Sequence, residues 1–360
     1  MKTDKFIQKD IFVSSYDYNL PEKLIAKYPA FPRDSAKLLV YDRKAGKITH
    51  TIFRNLLDFV GDKHFVFNNT KVIKARIFGV KETGGKVELL LNRPFKNGYL
   101  VYIRGKVKKG TKLYFDKGLM AEVVELLDDG SRIVNFKLRN EKAGSPKNRQ
   151  IFWGAEGEWK FLEFLELVKI LEEIGHVPLP PYIKREDEKI DEKEYQTVFA
   201  KKEGAVAAPT ASLHFTDDLL NKIEKKSYLT LHVGAGTFKP VEVEDIREHK
   251  MHSEFFEIPQ DTAKILDSDT EIVAVGTTST RTIEYYAREK KLSGECDLFL
   301  NPLNPPIRVN HLLTNFHLPK STLIMLVASF IGREKTLELY EEAIKNKYRF
   351  YSYGDAMLII

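Results

Sequence analysis

The apolar residues of this chain fall into three successive textures. Up to about residue 70, short helix-like and strand-like runs alternate. LPEKLIAKYP reads as a short helix stopped by Pro29, and LLVYD with KITHTI as a hairpin turning near Gly46. FRNLLDFV reads as a helix with one apolar face, and HFVFN as a strand. From Lys71 to about Trp153 the apolar runs become short and β-rich: KVELLL, YLVYI, TKLYF, LMAEVVELL and RIVNFKL. Glycines and charges break them at KNG, KKG, DKG and DDGS, a spacing that predicts a small barrel or sandwich.

The third texture is helical and then alternating. WKFLEFLELVKILEEIG places apolar residues at i, i+3 and i+4 and ends on Gly175, so it predicts a helix. HVPLPPYI is an extended, proline-fixed piece, and KREDEKIDEKE reads as an exposed charged loop. Strands YLTLHV, EIVAVG and DLFL then alternate with helices, of which TDDLLNKIEKK takes Thr216 as N-cap. TRTIEYYAREK, STLIMLVASF and EKTLELYEEAIKNK are the other helices, and AMLII is a last strand. This alternation predicts a parallel sheet covered on both faces. The expected architecture is α/β: a three-layer, mostly parallel sheet domain with an inserted small β-barrel domain. Residues 1–70 and 157–360 form the first and residues 71–156 the second.

One stretch departs from all three textures. EGAVAAPTASLHF, residues 203–215, has almost no charge in a chain that is 30% charged. Its small residues admit backbone or ligand very closely, and Thr210, Ser212 and His214 are its polar side chains. Tight packing of helix on sheet is the alternative explanation. Three further segments share this character: LHVGAGTFKP (residues 231–240), VGTTSTRT (275–282) and TNFHLPKST (314–322). Each joins an apolar strand-like run to glycines, hydroxyls or a histidine, which is how a ligand crevice in an α/β protein is built.

Charge and cysteine content narrow the possibilities. The net charge of +6 is a moderate basic bias, compatible with a polyanion such as RNA. Arg104, Lys106, Lys108, Lys109 and Lys112 cluster in the turns of the β-rich segment, and Lys106, Lys108 and Lys109 are candidate nucleic-acid contacts. A single cysteine, Cys296, excludes an internal disulfide framework and a cysteine-rich metal site and fits a reducing cytoplasm. MKTDKFIQKD lacks the apolar core of a signal peptide, and TLIMLVASFI is too short to span a bilayer.

The chemistry of the motifs follows from their side chains. The strand-to-helix turn VGTTSTRT offers backbone N–H groups with Thr277, Thr278, Ser279 and Thr280, and Arg281 beside them, for a carboxylate or phosphate. Ordinary capping by Thr and Ser is its structural alternative. Gly234 and Gly236 allow close backbone approach to a ligand, and His232 lies beside them. His249 and His252 stand three apart with Glu254 following, without the spacing of a zinc motif. His214 and His317 lie among small, prolyl or hydroxylated neighbours and are the leading acid/base candidates, followed by Asp355 and Glu254. Asn315 is a further substrate-binding candidate.

YQTVFAKKEGAVAAPTASLHFT, LHVGAGTFKPV, HKMHSEFFEI, AVGTTSTRTIE, LLTNFHLPKSTLIMLV and YRFYSYGDAMLI, in this order, resemble the S-adenosylmethionine:tRNA ribosyltransferase-isomerase (QueA) family of queuosine synthesis. So do YDYNLPEKLIAKYP and VFNNTKVIKARIFGVKETGGKVELLL. The resemblance runs from about Tyr16 to the C-terminus. It implies an α/β domain with an inserted β-barrel. It also implies transfer and isomerisation of the ribosyl part of S-adenosylmethionine onto 7-aminomethyl-7-deazaguanine at the wobble position of tRNA with a G-U-N anticodon. The product is epoxyqueuosine-tRNA, and adenine and methionine leave. S-adenosylmethionine is then a co-substrate, no metal or membrane is expected, and the protein is expected to be a cytoplasmic monomer. The sequence departs from the family's pattern at Lys37, Asn69, Lys74, Ser212, Leu303 and Asn310. Two other readings are a tRNA methyltransferase and a non-catalytic RNA-binding module.

Overall fold

The structure is a computed structural model of the 360-residue chain and describes residues 9–139 and 159–360. Contacts divide the chain into two compact units. One comprises Met1–Lys71, Pro180–Glu203 and Ala207–Ile360; the other comprises Val72–Leu179 and Gly204–Val206. The expected domain boundary at residue 156 lies outside the described residues. The helix Phe164–Ile174 belongs to the second unit, whereas the sequence reading placed it in the first.

The first unit is built on a nine-stranded sheet. In spatial order its strands are Ser293–Cys296, Glu254–Glu257, Lys226–Leu231, His64–Asn68, Ile272–Val275, His311–Asn315, Ala356–Ile359, Lys37–Asp42 and Lys47–Ile52. The four strands from Lys226–Leu231 to His311–Asn315 pair in parallel. Ala356–Ile359 runs antiparallel to His311–Asn315, and both sheet edges are antiparallel. The sheet is therefore mixed around a parallel centre. HFVFN, IVAV and HLLTN are buried along their whole length, as expected for strands covered on both faces.

Alternate residues of these strands feed separate cores. Leu38, Val40, Phe65, Phe67, Val273 and Leu358 pack on one face with Phe53 and Phe215. On the other face, Val66, Ile272 and Ala274 pack with Ile283 and Ala263, and Leu39, Leu312 and Met357 with Leu326 and Leu339. Two helical layers around one sheet are the expected three layers.

The second unit contains a closed antiparallel barrel of Arg76–Lys81, Lys86–Phe95, Gly98–Arg104, Lys112–Tyr114, Leu119–Leu126 and Arg132–Arg139. Closure removes the exposed edges that a short open sheet would leave. Three local expectations differ from the structure. LPEKLIAKYP supplies only a three-residue 3-10 turn, Glu22–Leu24. The strand expected at DLFL lies earlier, at Ser293–Cys296. KREDEKIDEKE is not a freely solvated loop: Asp191 and Glu194 are buried. Arg185 grips the Asp191 carboxylate with two nitrogens at 2.7 and 2.8 Å, and Arg33 binds Glu194 at 2.9 Å. Tyr353 also donates to Asp191, at 2.7 Å. Opposite charges in one run can satisfy each other inside the fold, and charge counting does not register that.

Candidate functional site

A cleft opens at the carboxyl ends of the parallel strands in the first unit, where open α/β sheets bind ligands. All four small-residue segments contribute to it. Ala207, Ala208, Pro209 and Thr210 come from the first, and Val233, Thr237 and Phe238 from the second. Gly276, Thr277 and Thr278 come from the third, and Thr314, Asn315, Phe316 and His317 from the fourth. For the last three segments the folding logic is simple: the parallel strands Lys226–Leu231, Ile272–Val275 and His311–Asn315 end on the same side, so the turns that follow meet there.

The helix Gly276–Glu289 begins at the cleft. No side chain caps it, and its first turn forms part of the lining. Gly276 has φ +88°, a conformation that other residues rarely adopt, and it makes the sharp exit from the strand. Thr278 Oγ1 accepts from Asn68 Nδ2 at 3.2 Å. Asn68, which the sequence reading missed, is fully buried and also holds Leu231 N and Thr70 N on its Oδ1. It fastens three strand ends under the cleft floor.

His317 lines the cleft with Nε2 2.8 Å from Thr314 Oγ1. Its carbonyl accepts from Tyr18, and its N–H donates to Tyr340 Oη at 3.1 Å. Burial pushes its pKa down to about 3, so the ring is neutral at ordinary pH. His214 lies behind the cleft wall, 3.1 Å from Asn315 Oδ1 and tilted against Phe53. Asn315 Nδ2 donates to the carbonyls of Tyr351 and Ser352, so its Oδ1 must accept and His214 Nε2 must carry the proton. Burial pushes His214 down to about 4, against the opposing influence of Asn315 and Asp355. The imidazolium donor that the sequence reading assigned to this pair is disfavoured at both positions.

Several sequence-level candidates have their partners within the fold. Arg281 was read as a ligand for an anion. Its Nη1 lies 2.5 Å from Glu254 Oε2, its Nε 3.1 Å from Leu298 O and its Nη2 3.3 Å from Cys296 O. Glu254 is likewise occupied, accepting from Gly234 N at 2.9 Å with His252 Nε2 at 3.5 Å. Burial alone would raise the Glu254 carboxyl, but Arg281 and His252 outweigh it and hold the pKa at about 2. Gly236 closely approaches a protein ring: a Cβ there would stand 2.8 Å from His252 Cγ. Asp355 is buried and accepts from the backbone N–H groups of Lys37 and Arg349 at 3.0 and 2.7 Å. His232 binds Thr70 Oγ1 at 2.8 Å and stacks on Phe255. Ser212 is buried, and its hydroxyl makes no hydrogen bond. Among the described residues no group of three His, Cys, Asp or Glu side chains is arranged to hold a metal ion. Lys106, Lys108 and Lys109 are exposed on the second unit.

Sequence reading also missed four cleft residues: Tyr182, Tyr195, Tyr351 and Ser352. Aromatic residues between prolines (PPYI) and hydroxyls (FYSYG) are the signal that was available for three of them.

Residues 13–359 match the queuosine biosynthesis protein family. The S-adenosylmethionine:tRNA ribosyltransferase-isomerase of Aliarcobacter butzleri is 63% identical over 352 residues, covering 96% of this chain and 98% of that one. The protein of the same name from Campylobacter jejuni (strain 81-176) is 60% identical over 361 residues, covering 98% and 100%. The crystal structure of S-adenosylmethionine tRNA ribosyltransferase from Thermotoga maritima is similar with a TM-score of 0.50 and 33% identity. It covers 96% of this chain and 100% of that one. With its parallel-centred sheet, its barrel and a family match over nearly its whole length, the chain belongs to the queuosine biosynthesis protein family.

Proposed function

We propose that the protein transfers and isomerises the ribosyl moiety of S-adenosylmethionine onto 7-aminomethyl-7-deazaguanine at the wobble position of G-U-N tRNA. The product is epoxyqueuosine-tRNA, with adenine and methionine released. The observation that carries this reading is the convergence of four small-residue segments on one cleft that offers both an open helix N-terminus and a neutral histidine. Thr277, Thr278 and the first-turn N–H groups suit the methionine carboxylate. Neutral His317 is poised to accept the proton that the sulfonium acidifies on the neighbouring ribose carbon. His214 acts through Asn315 as a positioning group. The apolar lining keeps water from the resulting carbanion-like intermediate. Lys106, Lys108 and Lys109 bind tRNA phosphates. The protein acts as a cytoplasmic monomer, without a metal.

The test is product analysis with S-adenosylmethionine labelled separately in the ribose and the methyl group. Ribose label in tRNA, with methyl label remaining on free methionine, is the expected outcome. Methyl label in tRNA would make the protein a methyltransferase, and no label in tRNA would leave an RNA-binding module.

A further inference from the structure

Among the polar groups that line the cleft, one is deeply buried and unpartnered. Tyr195 is only 1% exposed and lines the cleft, yet its hydroxyl makes no hydrogen bond. Buried hydroxyls are almost always paired, so one left open in a ligand cleft marks a place for a ligand atom. The charges of the groups around it say which kind. The Ser352 hydroxyl and the Ala208 N–H stand beside the Tyr195 oxygen, and neither completes a hydrogen bond with it. Burial holds the phenol far above its ordinary pKa, so it keeps its proton throughout the working range. With its proton retained and an N–H on its oxygen side, the phenol has a hydrogen to donate and no acceptor for it in the protein.

The surroundings fit a flat heterocycle. The Tyr182 and Tyr351 rings, 4.6 Å apart, and Phe238 all line the cleft. Tyr182 Oη and Ser352 Oγ are 2.6 Å apart, which fixes the hydroxyls next to Tyr195. Thr277 and Thr278, on the first turn of a helix, suit a carboxylate better than a ring.

We propose that the Tyr195 hydroxyl donates a hydrogen bond to a ring nitrogen of the adenine of bound S-adenosylmethionine. The inference rests on the functional reading above and adds a specificity-determining residue to it. The phenol transfers no proton. When the glycosidic bond breaks and its electron pair moves onto adenine, the donated hydrogen bond meets the growing charge on the base.

The experiment measures apparent affinity for S-adenosylmethionine at saturating tRNA, in the parent and in Tyr195→Phe. It also uses analogues in which N1, N3 or N7 of adenine is replaced by CH. The parent is expected to lose about tenfold with one of the three, and Tyr195→Phe about tenfold with the natural co-substrate. That variant should lose nothing further with the same analogue. Equal affinity of parent and variant overturns the proposal, as does a variant that keeps the parent's full sensitivity to every analogue. If Tyr195→Phe fails to fold, the parent series still decides: no loss with any analogue sinks the idea. A parent that transfers no ribosyl label removes the functional reading itself. A parent that transfers it while Tyr195→Phe binds normally removes only this inference.

Discussion

Two buried polar clusters in the first unit invite comparison. Around Arg281 and Glu254, the guanidinium and the carboxylate find their partners within the fold, at 2.5 to 3.3 Å. Around Tyr195, Ser352 and His317, hydroxyls and an imidazole sit equally deep, but hydrogen-bonding capacity is left over. By sequence both clusters looked functional: His317 is a leading acid/base candidate, and Arg281 and Glu254 lie in family-like motifs. The difference is one of saturation. A cluster that consumes its own hydrogen bonds locks a strand to a helix. A cluster with unmet donors in a cleft is where a ligand completes the set.

The comparison can be broken most forcefully at Arg281. Arg281→Ala leaves the Glu254 carboxylate buried without its cation and should cost about 3–5 kcal/mol of stability. That is a large part of a typical margin of about 5–15 kcal/mol. A thermal melt within a degree or two of the parent would show that Arg281 is not structural. His317→Gln is the opposite case. Single-turnover release of adenine from bound tRNA and S-adenosylmethionine should slow roughly 100-fold, with little change in melting. A variant that melts early yet keeps the parent's rate would turn His317 into a loop anchor.

Acid should sharpen the same contrast. His214 and His317 are neutral in the fold, with pKa values held by burial at about 4 and 3. The unfolded chain takes up these protons near its ordinary value of about 6.5. Their contribution is therefore fully present above that value and is lost as pH falls through 6.5 towards 4. Melting temperature followed from pH 7 to 4 should fall less steeply in His317→Gln than in the parent. Identical slopes would mean that the ring is not held neutral.

A smaller effect is expected at the helix start. Thr278→Ala removes a hydroxyl from the lining and should weaken S-adenosylmethionine by about 1 kcal/mol, leaving tRNA affinity alone. Calorimetry showing unchanged co-substrate affinity would move the carboxylate elsewhere. The least change per residue belongs to the lysines. Lys106, Lys108 and Lys109 changed together to Ala should flatten the log–log salt dependence of tRNA binding by about 0.7–0.9 for each phosphate that is no longer neutralised. An unaltered slope would place the tRNA on another surface.

How much could be read beforehand varied with the kind of signal. The barrel was legible because its strands are short, regularly spaced and bounded by turn residues. The cleft segments were legible because small, uncharged residues are conspicuous in a charged chain. The KREDEKIDEKE run was misread because its alternating charges match a solvated loop as well as they match the Arg185–Asp191 and Arg33–Glu194 latches. Those latches lie beside Tyr182 and Tyr195 in the chain, so the misreading hid part of the site. Arg281 carries the same ambiguity, because a basic residue after a strand-to-helix turn suits an anion or a buried carboxylate equally well.

By itself, the sequence determined the periodicities, and with them the strands, the helices and the turns at which the cleft forms. Local spacing carries that information, because side-chain direction repeats every two residues in a strand and every 3.6 in a helix. Which polar groups spend their hydrogen bonds on one another and which keep them for a ligand was decided only in the tertiary structure. Glu254 and Arg281, Asp191 and Arg185, and Asp355 and Lys37 N meet across 6 to 318 positions of chain. Saturation is a property of such meetings, and Tyr195 stands out only once the partners of its neighbours are known.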